Sequence, residues 1–235
     1  MARKTKEDAE ITRGRLLDAA EQVFYERGVS GASLADVAQC AGLTRGAVYW
    51  HFKDKLDLFD AMLQRVTLPI EQGLLLDGAA AKTAPITRIL ERFALIAQVV
   101  SEDARVRRVF ELAMFKVEHV GDLAAVQQRW VRGVDRCIAL LEQDLLAAQQ
   151  ACAQPLPLPV GLAAKGLQAL FDGLLHAWLL RGGQGSLCEE TQQLARFYLQ
   201  SLGLSAENDA KAEKILKITL QLQLADFFAY FAQRR

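Results

Sequence analysis

The chain has few residues that carry metal or redox chemistry. Only four cysteines and three histidines occur among its 235 residues. Cys40, Cys137, Cys152 and Cys188 lie far apart, with no C-x-x-C pair and no histidine at metal-ligand spacing. This pattern argues against a zinc motif and predicts reduced thiols that behave as small apolar residues. We favour this inert role over oxidant sensing, which stays open.

Signals for membranes, secretion and catalysis are also lacking. No apolar run approaches the roughly 18 residues of a spanning helix, and the N-terminus is charged from Arg3 onward. His51, His119 and His176 stand in no nucleophile–base or metal-ligand pattern, and no glycine-rich phosphate loop occurs. We therefore expect a cytoplasmic protein that has no membrane partner, no enzymatic activity, no cofactor and no metal.

Basic and acidic residues are present in equal numbers. The chain has 28 basic and 28 acidic residues, and residues 1–65 contain ten of each. A nucleic-acid-binding role therefore cannot be argued from net charge and depends on where the basic residues lie. In the N-terminal part they are local: Arg3, Lys4 and Lys6, then Arg45, Lys53 and Lys55.

The most informative segment is residues 33–55, SLADVAQCAGLTRGAVYWHFKDK. It predicts two short helices joined by a tight turn. Ser33 and Asp36 have the spacing of a capping box, and Gly42 can adopt the positive φ that a turn requires. Thr44 caps a second helix that begins at Arg45. Both the spacing and the chemistry are those of a helix-turn-helix.

The second helix of this motif carries side chains suited to DNA. Arg45 can donate two N–H groups to a guanine edge, and Gly46 lets the backbone approach the groove. The alternative, that the aromatic residues are core, stays open for Trp50 and Phe52. The predicted DNA-contacting residues offer hydroxyl, imidazole, aromatic or cationic groups; they are Ser33, Thr44, Arg45, Gly46, Tyr49, Trp50, His51 and Lys55.

The motif resembles the tetracycline-repressor (TetR) superfamily of bacterial regulators, and within it the AcrR-like repressors of multidrug efflux. The resemblance is strongest over residues 3–63, through the SLADVA helix, the AG turn, TRGAVYWHF and KDKLDLF. It is weaker in DARVRRVFELAMFK, VDRCIALL and ALFDGLLHAWLL. It implies a repressor that hydrophobic, often cationic small molecules release from a palindromic DNA operator. A TetR-type regulator of metabolite or lipid pathways, and a helical adaptor without DNA activity, are the alternatives.

Beyond the motif, apolar residues recur at helical spacing, and the scarce proline and glycine cluster at connections. Helices are expected at about 54–76, 86–100, 104–117, 122–151, 161–181 and 190–203. We predict an all-α fold in which a three-helix DNA-binding domain (1–55) precedes a ligand-binding and dimerisation domain (56–204). Residues 205–235 form a C-terminal extension for which we expect a helix.

The predicted helices at 161–181 and 190–203 are apolar on more than one face. Leu170 and Trp178 on the first, and Phe197 on the second, are among these residues. A helix that is apolar on two sides is buried on two sides, one of which would face a partner subunit. The resemblance implies the same arrangement, a homodimer joined by four helices.

Asp172 is a polar residue in an otherwise apolar helix, where a buried carboxylate is costly unless paired. A hydrogen bond to His176, or partial exposure, would explain it, and helical spacing alone favours an ordinary core. The resemblance implies instead an apolar cavity with Glu111, Cys137 and Asp172 at its lining, suited to lipophilic cations. The predicted ligand-binding residues are Phe93, Ile96, Phe110, Glu111, Met114, Val134, Cys137, Leu141, Phe171, Asp172 and Leu175.

The resemblance stops before residues 205–235. This segment is charged at 207–217 and strongly apolar at 218–231, where Phe227, Phe228, Tyr230 and Phe231 cluster. Such a cluster is unfavourable in water. We prefer an extra helix docked on the larger domain or across the dimer, and a loosely packed, self-associating segment is the alternative.

Overall fold

A computed structural model describes residues 6–76, 84–116, 124–152 and 155–204. These ranges contain helices but no strand, which confirms the all-α prediction. In chain order the helices are α1 (Lys6–Gly31), α2 (Leu34–Cys40), α3 (Arg45–His51), α4 (Lys55–Leu76), α5 (Pro85–Glu102), α6 (Ala104–Phe115), α7 (Ala124–Cys152), α8 (Val160–Leu180) and α9 (Leu187–Ser201).

The helix bounds follow the predictions closely, with one early start. Helix α9 begins at Leu187, before the predicted position, because Ser186 Oγ accepts a hydrogen bond from Glu189 N at 3.3 Å. No helix in the described ranges has an apolar stretch long enough to cross a bilayer. Residues 205–235 lie outside the described residues, as do Arg3, Lys4 and His119.

The chain forms two compact units. Among the described residues, the first contains those up to Leu68 together with those between Arg105 and Trp130, and the second contains those between Pro69 and Ala104 and those from Val131 to Leu204. Helix α6 therefore belongs with the N-terminal helices, although it lies between α5 and α7 in sequence. The divisions between the units fall within α4 and α7, and the division in α4 comes directly before Pro69, which lacks an N–H for the helix. The functional division at residues 55 and 204 stays a prediction.

In the first unit, α1 provides the apolar surface on which the helix-turn-helix packs. Leu16, Ala20 and Phe24 are fully buried along α1, and the Phe24 ring meets the edge of Phe59 from α4 at 5.7 Å between centroids. Val48 of α3 is also fully buried. The short helix α3 is thus anchored in the core through Val48.

In the second unit, α8 and α9 approach each other closely at a glycine. A Cβ on Gly166 would clash with the Tyr198 hydroxyl, so a larger residue fits only if the Tyr198 side chain moves. The same hydroxyl donates to the Ala163 carbonyl at 3.2 Å. On α5 the Phe93 ring stacks on Phe171 of α8 at 5.1 Å between centroids. These contacts build the centre of the unit from α5, α8 and α9.

A buried ion-pair group joins α5 to α7 in this unit. Asp144 accepts hydrogen bonds from Arg88 Nε and from Arg92 Nη1, each at 2.8 Å. Asp144 and Arg92 are both buried. Since a lone buried charge costs several kcal/mol, these contacts require the two helices to keep their register.

The conformation of Gly42 provides a test of the turn. Its φ is +63°, which other L residues rarely adopt, so Gly42→Ala should lower the free energy of unfolding by about 1–2 kcal/mol. An added Cβ would meet nothing nearer than Arg15 Nη2 at 3.7 Å, so the loss comes from the backbone and not from a clash. Urea unfolding measures it.

Two variants control this test. Gly42→Asn should lower the free energy of unfolding less than Gly42→Ala does, because asparagine tolerates positive φ better than alanine. Gly46→Ala, inside α3, should not lose stability, because alanine is the better helix former by about 1 kcal/mol. Equal losses for alanine and asparagine at position 42 would contradict the conformational explanation.

Candidate nucleic-acid interface and ligand-binding residues

Side-chain caps hold both helices of the motif. Ser33 N donates to Asp36 Oδ2 at 2.9 Å and Asp36 N donates to Ser33 Oγ at 3.2 Å, which confirms the predicted capping box. The hydrogen bonds from Ser33 lower the pKa of Asp36. Thr44 Oγ1 accepts from Ala47 N at 3.2 Å and caps α3, as predicted. The caps present the N-terminal end of α3 in one orientation.

Arg45 lies at that end and is paired with Tyr49. Its guanidinium lies over the Tyr49 ring, 5.5 Å from the centroid, and Nη2 donates to the Tyr49 hydroxyl at 3.2 Å. This hydrogen bond raises the pKa of Arg45. Gly46 beside it is exposed, and a Cβ there would meet nothing nearer than Thr44 Oγ1 at 3.9 Å. The geometry suits an arginine that reaches into a groove over an open backbone.

The two aromatic residues left open by the sequence differ in placement. Phe52 is 2% exposed and belongs to the core, with the guanidinium of Arg13 5.2 Å from its ring centroid. Trp50 is 71% exposed and meets the His51 ring edge-on at 4.5 Å between centroids. The core alternative therefore holds for Phe52 and not for Trp50. The DNA contacts of Trp50 and His51 stay predictions.

Lys55 has a structural role that sequence reasoning missed. Its ammonium donates to the Ser30 carbonyl at 3.1 Å and to the Ala32 carbonyl at 2.9 Å, and so holds the link between α1 and α2. Arg15 acts similarly, because its Nη2 donates to the Ala41 carbonyl at the end of α2 at 2.8 Å. An ammonium has three N–H groups, so one of Lys55 is left for the phosphate contact that stays predicted.

Helix α6 is attached to α1 and α4 by ion pairs centred on Glu21. The Glu21 carboxylate accepts from Arg65 of α4 at 3.3 Å, and from Arg105 and Arg108 of α6 at 3.2 and 3.1 Å. Asp18, one turn earlier on α1, accepts from Arg65 at 2.9 Å and also from Arg105. We call these five side chains the Glu21 cluster. Nothing in the local sequence pattern indicated it.

Three of the predicted ligand-binding residues, Phe110, Glu111 and Met114, lie in the first unit. Phe110 is buried and meets the Trp130 ring edge-on at 5.6 Å between centroids. Glu111 Oε2 accepts a hydrogen bond from Tyr25 Oη at 2.9 Å, which raises the pKa of Tyr25. The carboxylate that was predicted to meet ligand is therefore already bonded to α1, and its ligand role stays a prediction.

The other predicted ligand-binding residues lie in the second unit, where Asp172 is partly buried. Gln168 Nε2 donates to Asp172 Oδ1 at 2.8 Å, so this bond comes from four residues before Asp172, whereas the predicted partner, His176, lies four residues after it. Burial raises the pKa of Asp172. The members that share this unit with Asp172 are Phe93, Ile96, Val134, Cys137, Leu141, Phe171 and Leu175; their role as a cavity lining stays predicted.

Two protein families match different parts of the chain. Residues 16–62 match "Bacterial regulatory proteins, tetR family", and residues 84–204 match "MAATS-type transcriptional repressor, C-terminal region". The chain belongs to the TetR family. It is a DNA-binding transcriptional repressor and not an enzyme, as the sequence predicted. Among the described residues, no group of three histidine, cysteine or acidic side chains could hold a metal ion.

Individual relatives resemble this TetR-family protein over most of their length. It is 33% identical to the transcriptional regulator TtgR of Pseudomonas putida over 208 residues, which cover 87% of this chain and 98% of that one. The structure of NalD, the secondary repressor of the MexAB-OprM multidrug efflux pump in Pseudomonas aeruginosa, matches with a TM-score of 0.75 and 33% identity over 83% of this chain and 98% of that one. A complex of SmeT, the repressor of a Stenotrophomonas maltophilia efflux pump, with triclosan matches with a TM-score of 0.71 and 27% identity over 81% and 91%.

Because Arg45 and Lys55 have different surroundings, we expect their substitution by alanine to affect different properties of the protein. Arg45→Ala should cost about 1–3 kcal/mol of operator affinity per base contact and flatten the preference at one operator position. Lys55→Ala should instead lower the free energy of unfolding by about 1–3 kcal/mol, because two carbonyls lose a charged donor. Competition with mutated operators and urea unfolding measure the two effects.

Lys53→Ala serves as the control, since it removes a neighbouring exposed ammonium. It should leave both the stability and the base preference unchanged. If Lys55→Ala unfolded at the same urea concentration as the parent protein, the structural role of Lys55 would be wrong.

Proposed function

We propose that the protein represses a multidrug efflux system from a palindromic operator and is released by hydrophobic, often cationic small molecules. Operator binding is supported by the exposed Arg45 and Gly46 at the N-terminal end of α3, within a TetR-family motif. The efflux part is supported by the similarity to NalD and SmeT over most of their lengths. Such a repressor acts in the cytoplasm, where its DNA is.

A homodimer would present two recognition helices to the two half-sites. Exposed apolar side chains on the last two helices support this assembly. They are Leu162 and Leu180 on α8 and Leu194 and Phe197 on α9. Four large apolar residues on neighbouring helices are unfavourable in water, so a second copy of the chain is the partner that the proposal assigns to them.

The inducer class is supported by the surroundings of Asp172. Its neighbours on α8 include the buried Phe171 and Leu175. Since burial raises the pKa of Asp172, ionising the carboxyl is costly there, and a bound cation would offset that cost. The rest of the inducer would be apolar, which agrees with the triclosan bound to SmeT.

The Glu21 cluster supports a route from ligand to DNA. Helices α4 and α6 are tied to α1 through Glu21, and α1 carries the helix-turn-helix on its apolar face. In the proposed mechanism, ligand binding shifts α4 and α6, and the two recognition helices lose their spacing of one DNA turn. A ligand can do this only if its affinity differs between the two arrangements. A coupling of about 1–3 kcal/mol corresponds to a roughly 5- to 150-fold change in DNA affinity.

Fluorescence anisotropy with promoter fragments from the neighbouring genes tests this function. We expect tight, salt-dependent binding to one palindromic fragment, weak binding to a shuffled fragment, and release by lipophilic cations. Release by acyl-CoA esters, and not by lipophilic drugs, would favour a regulator of lipid metabolism. Equal affinity for the palindromic and shuffled fragments would refute the repressor assignment.

Asp172→Asn tests the inducer class. The variant should bind cationic inducers more weakly, bind neutral ones as before and keep its operator affinity. Because the folded pKa of Asp172 is raised, its contribution to stability is present below the ordinary pKa and lost as the pH rises through the raised value. At neutral pH the variant should therefore be at least as stable as the parent protein.

Calorimetry with one cationic and one neutral lipophile, together with thermal unfolding, measures both outcomes. Asp135→Asn, which removes an exposed acid of α7, is the control for charge alone. If Asp172→Asn lost the same affinity for both lipophiles, or if its melting temperature fell strongly, Asp172 would have a structural role and not a ligand-binding one.

A further inference from the structure

We propose that Tyr49 is a positioning residue that holds the Arg45 guanidinium for base reading and does not itself contact a phosphate. The proposal rests on the base-reading role of Arg45 in the proposed function. It changes the expectation from sequence, which treats the two residues as independent DNA contacts.

The geometry places the two side chains on one face of α3. Residues four apart on a helix are neighbours, and here both the ring face and the hydroxyl of Tyr49 meet Arg45. The guanidinium lies 5.5 Å from the ring centroid, and Nη2 lies 3.2 Å from the hydroxyl oxygen. One contact is between a cation and a ring face, and the other is a hydrogen bond. Together they restrict both the position and the rotation of the guanidinium.

Such restriction matters because a free arginine side chain has many rotamers that it loses on binding. A guanidinium that is held before DNA arrives loses less entropy for each hydrogen bond that it then makes. The guanidinium has five N–H donors, and the Tyr49 hydroxyl accepts from one nitrogen. Four donors are therefore left, and two of them are enough for the paired acceptors of a guanine edge.

The surroundings of α3 agree with this division of roles. Thr44 Oγ1 is occupied by the cap of the helix, so it is already committed to Ala47 N. Gly46 has no side chain to support its neighbour, and Val48 is buried in the core. The side chain one turn along, Tyr49, is therefore the support that α3 offers to Arg45.

Two substitutions separate the hydroxyl from the ring. Tyr49→Phe removes the hydrogen bond and keeps the ring, whereas Tyr49→Leu removes both. Each is made in the parent protein and in Arg45→Ala, in the full chain. Affinities for the operator, and for operators with single base-pair changes, are measured by anisotropy at several salt concentrations. Urea unfolding checks that each variant is folded.

We expect Tyr49→Phe to reduce the preference at the base pair read by Arg45 by roughly three- to tenfold, the effect of one hydrogen bond. Tyr49→Leu should reduce it further. The slope of log affinity against log salt should stay unchanged, because no phosphate contact is lost. In the Arg45→Ala protein, both substitutions should have almost no further effect, because coupled residues are not additive.

The opposite pattern overturns the proposal. If Tyr49→Phe weakens all operators equally and lowers the salt slope, the hydroxyl contacts a phosphate. If it changes nothing, or keeps its full effect in Arg45→Ala, Tyr49 does not act through Arg45. Failure of the proposed function would give different results. The parent protein would then prefer no operator, or Arg45→Ala would keep the full base preference.

Discussion

The first unit depends on the pairing of a buried carboxylate, Glu21, with three arginines. An unpaired charge in this position would cost several kcal/mol, so the fold is favourable only when the partners are in place. Arg105 and Arg108 come from α6, and Arg65 comes from α4. Neither helix can therefore move away from α1 without breaking charged hydrogen bonds. The same α1 packs against the helix-turn-helix, so α6 and the helix-turn-helix are held by one common helix, with Glu21 at the centre of the α6 contacts.

Several basic residues of this electrically neutral chain have structural roles. Arg15, Lys55 and Lys116 donate to backbone carbonyls at the ends of α2 and α1, at 2.7 to 3.1 Å. Cations near helix C-termini also interact favourably with the helix dipole. These residues stabilise the first unit, and Arg45, on the exposed end of α3, is the cation that the proposed function assigns to the groove. In that proposal, specific binding depends on a few well-placed cations and not on a broad basic surface.

The sequence predicts the local parts of the structure well, because caps and turns depend on neighbours. Ser33, Gly42 and Thr44 behave as their spacing indicates. The Glu21 cluster is different, since it joins positions 44 and 87 residues apart in the chain. No period or motif encodes such a pair. Asp172 is an intermediate case. Helical spacing predicts a hydrogen-bond partner one turn away, but it does not say whether that partner lies before Asp172, as Gln168 does, or after it, as His176 does. The grouping of residues 105–116 with the N-terminal helices is likewise a long-range property.

The ligand-binding end of the proposed switch should respond to pH. Burial raises the pKa of Asp172 and so moves its ionisation toward the physiological range. A cationic inducer binds most favourably to the ionised form, so its affinity should fall as the pH drops through the raised pKa. Coupling between two sites is reciprocal, so operator DNA must weaken inducer binding by the same factor by which inducer weakens DNA binding. In the proposed mechanism, the pH therefore alters how much cationic inducer is bound.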